Sequence, residues 1–154
     1  MMKELLGKLV PSPAKVTVGI NGFGRIGRAF MRAAVQTRDI DIVAINDIGD
    51  VKNLAYLLKY DTAYKQSPFK VEAVDGGIMV GRKKIKVFSE KDPSALPWKK
   101  LGVDIVVEST GVFESYEKAS AHLKGGAKRV VITAPVRDEN GGATVLVGIN
   151  ENKL

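Results

Sequence analysis

The motif Gly22-Phe23-Gly24-Arg25-Ile26-Gly27 stands directly after the apolar run Val16 to Ile20, and a helical pattern opens behind it. Each glycine answers a mechanical need. One permits a tight turn from strand to helix, a second lets the backbone come close to a bound phosphate group, and a third lets helix and strand pack tightly. Asp47 stands at the end of a second apolar run, twenty residues beyond Gly27. In a chain with 16 glycines such a motif can arise by chance as a ligand-free turn. The order of its neighbours makes it specific: strand, turn, helix, strand and terminal acid fall within the roughly 30 residues of a dinucleotide-binding βαβ unit.

The 154 residues are 45% hydrophobic, enough for one domain with one core. No apolar run approaches the roughly 20 residues of a membrane-spanning helix, so a soluble, cytoplasmic protein is expected with no membrane partner. The chain contains no cysteine, hence no disulfide and no thiol nucleophile. Its net charge of +7 favours anionic partners. The basic residues are dispersed, so weak, nonspecific RNA binding is the most that charge implies. Residues 1–14 carry Leu5, Leu6, Leu9 and Val10, then Pro11 and Pro13, and read as an N-terminal extension without features of a secretory signal. Residues 15–150 read as the domain, and 151–154 as the start of a connection onward.

Strands and helices alternate along that domain. Val16 to Asn21 is a β-branched buried strand, and Arg25 to Thr37 is a helix with Ile26, Ala29, Phe30, Ala33 and Ala34 on its apolar face. Asp41 to Asn46 is a second strand, and Val51 to Tyr60 a second helix capped by Asp50. Val71 to Phe88 breaks at Asp75-Gly76-Gly77 and Gly81, which marks antiparallel hairpins. A strand at Asp104 to Glu108, a helix at Tyr116 to Leu123, a strand at Arg129 to Thr133 and a last strand at Thr144 to Gly148 complete the series. The expected fold is α/β: a doubly wound, mostly parallel sheet of Rossmann type with an antiparallel insertion.

Ligands in such sheets lie beyond the carboxyl ends of the strands. Those ends carry Asn21-Gly22, Asn46-Asp47, Ser109-Thr110-Gly111 and Thr133-Ala134-Pro135, all small or polar. Asp47 can accept both hydroxyls of an adenosine ribose and would repel a 2′-phosphate, which points to NAD over NADP. His122, the only histidine, lies in a helix spaced for packing and has no nucleophile beside it, so it reads as structural and not as a general base. Trp98 and the series Tyr56, Tyr60, Tyr64 likewise read as packing residues. No metal site is expected.

Five blocks carry a resemblance: Lys15-Val16 through Gly27; Ile45-Asn46-Asp47; Leu54-Ala55-Tyr56-Leu57-Leu58-Lys59-Tyr60-Asp61; Val107-Glu108-Ser109-Thr110-Gly111-Val112-Phe113; and Val131-Ile132-Thr133-Ala134-Pro135. From Lys15 to about Asn150 the chain resembles the NAD-binding domain of phosphorylating glyceraldehyde-3-phosphate dehydrogenase. The resemblance implies that Asn21, Gly22, Gly24, Arg25 and Ile26 line the pyrophosphate and that Asp47 holds the adenine ribose; Asn46, before it at the strand end, is a further cofactor-binding candidate. Lys91 would lie near the adenine, and Ser109, Thr110, Gly111, Thr133 and Ala134 would line the route to the nicotinamide. It also implies a homotetrameric parent of glycolysis, and a catalytic half supplying the cysteine, its activating histidine and the substrate phosphate sites. The family's Ser-x-Ala-Ser-Cys-Thr-Thr-Asn segment is absent here, and His122 does not match the catalytic histidine. The 154 residues alone are therefore expected to bind NAD without turnover. Asn140-Gly141-Gly142 lengthens the loop before the last expected strand. Alternatives are a fragment of erythrose-4-phosphate dehydrogenase, which shares the architecture, and a non-catalytic regulatory or RNA-binding dinucleotide module.

Overall fold

The computed structural model describes residues 14–136, 138 and 140–153. The N-terminal extension, apart from Ala14, lies outside the described residues. The chain runs β1 (Val16–Asn21), α1 (Arg25–Ala34), β2 (Ile40–Asn46), α2 (Val51–Lys59), β3 (Tyr60–Asp61), β4 (Lys65–Gln66), β5 (Val71–Val74), β6 (Gly77–Val80) and β7 (Lys83–Phe88). After a short 3-10 turn at Pro93–Ala95 come β8 (Ile105–Glu108), α3 (Tyr116–Ala119), α4 (Ala121–Lys124), β9 (Arg129–Ile132) and a second 3-10 turn at Glu151–Lys153.

Seven strands form one sheet in the order β5-β6-β7-β2-β1-β8-β9, and β3 and β4 make a separate two-stranded ribbon. The pairs β1–β2, β1–β8, β8–β9 and β2–β7 are parallel, whereas β5–β6 and β6–β7 are antiparallel. The hairpin region is thus continuous with the main sheet, because β7 pairs along β2 from Ala44↔Lys86 to Asn46↔Phe88. The doubly wound reading with antiparallel strands holds.

Alternation along the strands explains the two buried layers. Ile45 and Val107 face one layer with Ile20, Phe23, Met31, Leu58, Ile78 and Ile85, under α1 and α2. Their neighbours Ala44 and Val106 face the other, with Leu96, Trp98, Val103 and Ala127. Gly19 makes room for the second layer: a Cβ there would stand 2.6 Å from the Trp98 ring. Trp98 is fully buried, as expected.

Several sequence expectations are corrected. In α1 the buried residues are Gly27, Met31, Arg32 and Ala34, while Ile26 and Ala33 face solvent. The rotation follows from Gly27, which must press against the glycine turn, and from Arg32, whose guanidinium donates to the carbonyls of Leu58 (2.6 Å) and Lys65 (3.2 Å). The helix also ends at Ala34, three residues early. Tyr56, Tyr60 and Tyr64 are exposed, since α2 presents Leu54, Ala55 and Leu58 to the core from its other side. Asp50 does cap α2, accepting from Asn53 N at 3.0 Å. The helix expected at Tyr116 to Leu123 is two single turns parted at Ser120, whose hydroxyl donates to the Glu117 carbonyl at 2.6 Å.

The strand expected at Thr144 to Gly148 does not form. Leu146, Val147 and Ile149 are exposed, so no buried face rewards pairing. Local bonds hold the segment instead: Leu146 N donates to Asn150 Oδ1 (2.6 Å), Asn150 Nδ2 to Thr144 O (3.0 Å), and Ile149 N to Leu146 O (3.0 Å). Before it, Gly141 and Gly142 pass close to Tyr116: added Cβ atoms there would lie 2.9 and 2.5 Å from that side chain.

Candidate functional site

The carboxyl ends of β2, β1, β8 and β9 meet along one edge of the sheet, and the glycine turn sits at their centre. Gly22 has φ +89° and lies so close to the β8 loop that a Cβ would stand 2.6 Å from Thr110 N. At Gly27 a Cβ would stand 2.2 Å from the Gly22 carbonyl oxygen. Gly24 differs: the space where its Cβ would project is open, and no side chain caps the helix there. The first turn of α1 carries no acid. Its unpaired N–H groups, the dipole and the open cradle at Gly24 together form a seat for a pyrophosphate. Arg25 and Ile26 are exposed at its rim.

Asp47 reaches back from the end of β2 toward that turn. Its Oδ2 accepts from Phe23 N at 2.6 Å and its Oδ1 from Gly49 N at 2.8 Å. Two backbone donors orient the carboxylate, and each oxygen retains a lone pair for a further donor. Asn46 is buried; its amide donates to Glu90 O at 2.9 Å and its carbonyl accepts from Glu90 N at 2.8 Å. That clamp fixes the segment carrying Lys91, which is exposed beside the β2 end.

Across β1 the construction changes. A buried polar chain runs from Asn46 Nδ2 to Asn21 Oδ1 (2.7 Å), from Asn21 Nδ2 to Glu108 Oε2 (2.6 Å), and from Glu108 Oε2 to His122 Nε2 (2.8 Å). It ends where Trp98 Nε1 donates to His122 Nδ1 at 3.0 Å. An indole N–H can only donate, so Nδ1 accepts and the ring proton sits on Nε2, donated to Glu108. The structural reading of His122 holds: it is fully buried on α4.

Glu108 is the node of this chain and, like Trp98 and His122 as its supports, was not singled out by sequence reasoning as part of the site. An acid closing the apolar strand Ile105-Val106-Val107 was the available signal. Its Oε1 accepts from Thr110 N (2.9 Å) and Thr110 Oγ1 (2.5 Å), and its backbone carbonyl accepts from Thr133 N and Thr133 Oγ1, both at 3.0 Å. Burial works to raise the Glu108 pKa, yet hydrogen bonds from His122, Asn21 and Thr110 outweigh it and hold the carboxyl below the ordinary glutamate value. Thr110 Oγ1 in turn accepts from Val112 N at 3.0 Å, folding the loop around Gly111 at φ +72°. Ser109 Oγ donates to the carbonyl of Gly22 at 2.7 Å, binding this loop to the glycine turn. Thr133 is exposed and Ala134 half-buried next to it.

The structure therefore brings the sequence-derived residues to one edge, but in two kinds. Gly24, Arg25, Ile26, Asp47, Lys91, Ser109, Thr110, Gly111, Thr133 and Ala134 reach the open side, whereas Asn21, Gly22 and Asn46 are buried beneath it.

A parallel sheet whose central strand ends in a glycine turn against a helix N-terminus, with an acid at the next strand end, defines a dinucleotide-binding domain of Rossmann type. Residues 16–116 match the family model described as "Glyceraldehyde 3-phosphate dehydrogenase, NAD binding domain", and the chain belongs to that family. It is 55% identical over 139 residues to glyceraldehyde-3-phosphate dehydrogenase of Thermotoga maritima, covering 89% of this chain and 41% of that protein. Against glyceraldehyde-3-phosphate dehydrogenase 1 of Streptomyces avermitilis the figures are 51% over 138 residues, 89% and 41%, and against the Yarrowia lipolytica enzyme 52% over 136 residues, 88% and 39%. The chain thus spans about two-fifths of the length of these relatives. These matches do not favour the erythrose-4-phosphate dehydrogenase or RNA-module alternatives. Among the described residues no helix is long and apolar enough to cross a membrane.

Proposed function

We propose that this chain holds the NAD of a phosphorylating glyceraldehyde-3-phosphate dehydrogenase and supplies no nucleophile of its own. The observation that carries the reading is the open space at Gly24 in a turn whose preceding residue, Phe23, donates its N–H to the carboxylate of Asp47. In it the N–H groups of the α1 N-terminus, with Arg25 and Ile26, take the pyrophosphate, Gly22 shapes the turn beneath it with its own N–H given to Asn46 O, and Asp47 takes the adenosine ribose. Lys91 lies on the adenine side. Ser109, Thr110, Gly111, Thr133 and Ala134 form the wall of the nicotinamide half. Asn21 and Asn46, buried, hold the strand ends in register beneath the cofactor. A nicotinamide held there would supply the hydride acceptor of the reaction.

The rest of the proposed reaction, thiolate attack on the aldehyde and phosphorolysis of the thioester, requires groups these residues do not contain. The partner is a catalytic domain of the same enzyme, or a full-length homologue, in a cytoplasmic homotetramer. Calorimetric titration of the chain with NAD and with NADP tests the reading. NAD binds more tightly, because a 2′-phosphate meets the Asp47 carboxylate. Equal or tighter NADP binding overturns the assignment of Asp47. Purified chain given glyceraldehyde 3-phosphate, phosphate and NAD forms no NADH.

A further inference from the structure

We propose that Glu108 and His122 are positioning residues for the nicotinamide half of the crevice, setting the Thr110 loop without touching the cofactor themselves. This rests on the cofactor reading above. Glu108 is 2% exposed and His122 fully buried, so neither can reach a ligand over the strand ends. Between them they determine where Thr110 stands. Both free donors of Thr110, its N–H and its hydroxyl, point down into Glu108 Oε1. Its hydroxyl oxygen then accepts from Val112 N, so one carboxylate dictates the path from Ser109 through Gly111.

The carboxylate itself is held from behind. Its Oε2 takes the Nε2 proton of His122 and an amide proton of Asn21. The histidine cannot turn its other nitrogen to this task, because Trp98 Nε1–H occupies Nδ1. Four donors on a buried carboxylate leave it no reason to rotate, and each charge-assisted bond is stronger than a neutral one. The loop so fixed packs directly against the glycine turn through Gly22 and Ser109. On the β2 side Asp47 is oriented by the Phe23 and Gly49 amides, and Glu108 reaches that side only indirectly, through Asn21 to an Asn46 that Glu90 also holds by two bonds. A defect at Glu108 or His122 therefore damages one half of the crevice and spares the other.

The experiment uses the full chain and two probes, NAD and AMP, because AMP engages only the adenosine half. His122→Phe removes the proton given to Oε2; His122→Gln returns an amide donor near the place of Nε2. Glu108→Gln replaces the carboxylate by an amide that cannot accept all four donors. NAD affinity falls about tenfold or more in Glu108→Gln and His122→Phe, as expected when a hydrogen bond to a buried charge is lost. AMP affinity in the same variants stays within about threefold, less than half the logarithmic loss for NAD. His122→Gln recovers part of the NAD affinity. Equal loss of NAD and AMP overturns the proposal, since general loosening of the fold harms both halves alike; so does unchanged NAD affinity in both variants. If Glu108→Gln does not fold, the two His122 variants decide by the same ratio. Equal loss of NAD and AMP in the variants leaves the cofactor reading standing, whereas absence of NAD binding by the unaltered chain removes that reading and this proposal with it.

Discussion

The two halves of the crevice are built on different principles although they share β1. On the β2 side the geometry is that of the main chain: Gly22, Gly24 and Gly27 are where a side chain would collide or fill the cradle, and Asp47 is aimed by two backbone amides. On the β8 side the geometry belongs to side chains, with Glu108 gathering Asn21, His122 and Thr110 over a buried path that ends at Trp98. A backbone-made site tolerates little change at its glycines and much around them. A side-chain-made site fails wherever one partner of its buried network is removed, because the partner left behind stays desolvated and unpaired.

The sharpest test of the backbone half contrasts two glycines. Gly27→Ala forces a Cβ to 2.2 Å from the Gly22 oxygen, so α1 must shift. Overpacking of this kind costs about 1–3 kcal/mol, or a melting temperature lower by several degrees, and NAD binding is lost. Gly24→Ala has open space and a φ of −71°, so it gives up only the N-cap preference of glycine over alanine and melts about 2 °C below the parent chain, less than Gly27→Ala, while its dinucleotide affinity still falls. If the two variants behave alike in calorimetry and thermal melts, the distinction between packing and ligand glycines is wrong.

Asp47→Ala ranks next. NAD binding weakens by about tenfold or more, as for loss of a hydrogen bond to a charge, and the preference over NADP narrows. AMP weakens along with NAD, the opposite of the Glu108 and His122 pattern. A smaller effect concerns acid. The Glu108 pKa is lowered in the folded chain, so its contribution to stability is fully present above the ordinary carboxylate value of about 4. That contribution is lost as pH falls through the depressed folded value. Glu108→Gln, where it folds, removes this part of the acid dependence, giving a flatter melting temperature between about pH 5 and pH 3. An unchanged slope places the acid sensitivity elsewhere, Asp61, Asp92 and Asp104 being other carboxyls held low by hydrogen bonds. The smallest effect is expected outside both halves. Val147 is 91% exposed, so Val147→Ser changes stability by no more than about 0.5 kcal/mol in chemical denaturation.

The errors in the sequence reading have the same origin as the difference between the halves. Spacing alone points Ile26 and Ala33 of α1, like the tyrosines at 56, 60 and 64, toward a core, and all are exposed. Periodicity tells that a helix has faces, while which face turns inward is set by its tightest contact, here Gly27 on Gly22. The strand expected at Thr144 to Gly148 had the right composition but no buried face, so bonds to the Asn150 side chain prevail. Glu108 was visible only as part of the block Glu108-Ser109-Thr110-Gly111, with its partners fourteen and eighty-seven residues away.

Local order in the chain determined the βαβ unit, the Asp50 cap, the alternation into two layers and the acid at the β2 end. Glycine conformations, caps and strand periods are properties of residues a few positions apart, and such properties are written consecutively. The rotation of α1, the continuity of the hairpins with the main sheet, the break at Ser120 and the path from Trp98 to Thr110 were decided only in the folded molecule. They depend on which buried donor meets which acceptor after distant strands align, and no local pattern contains that pairing.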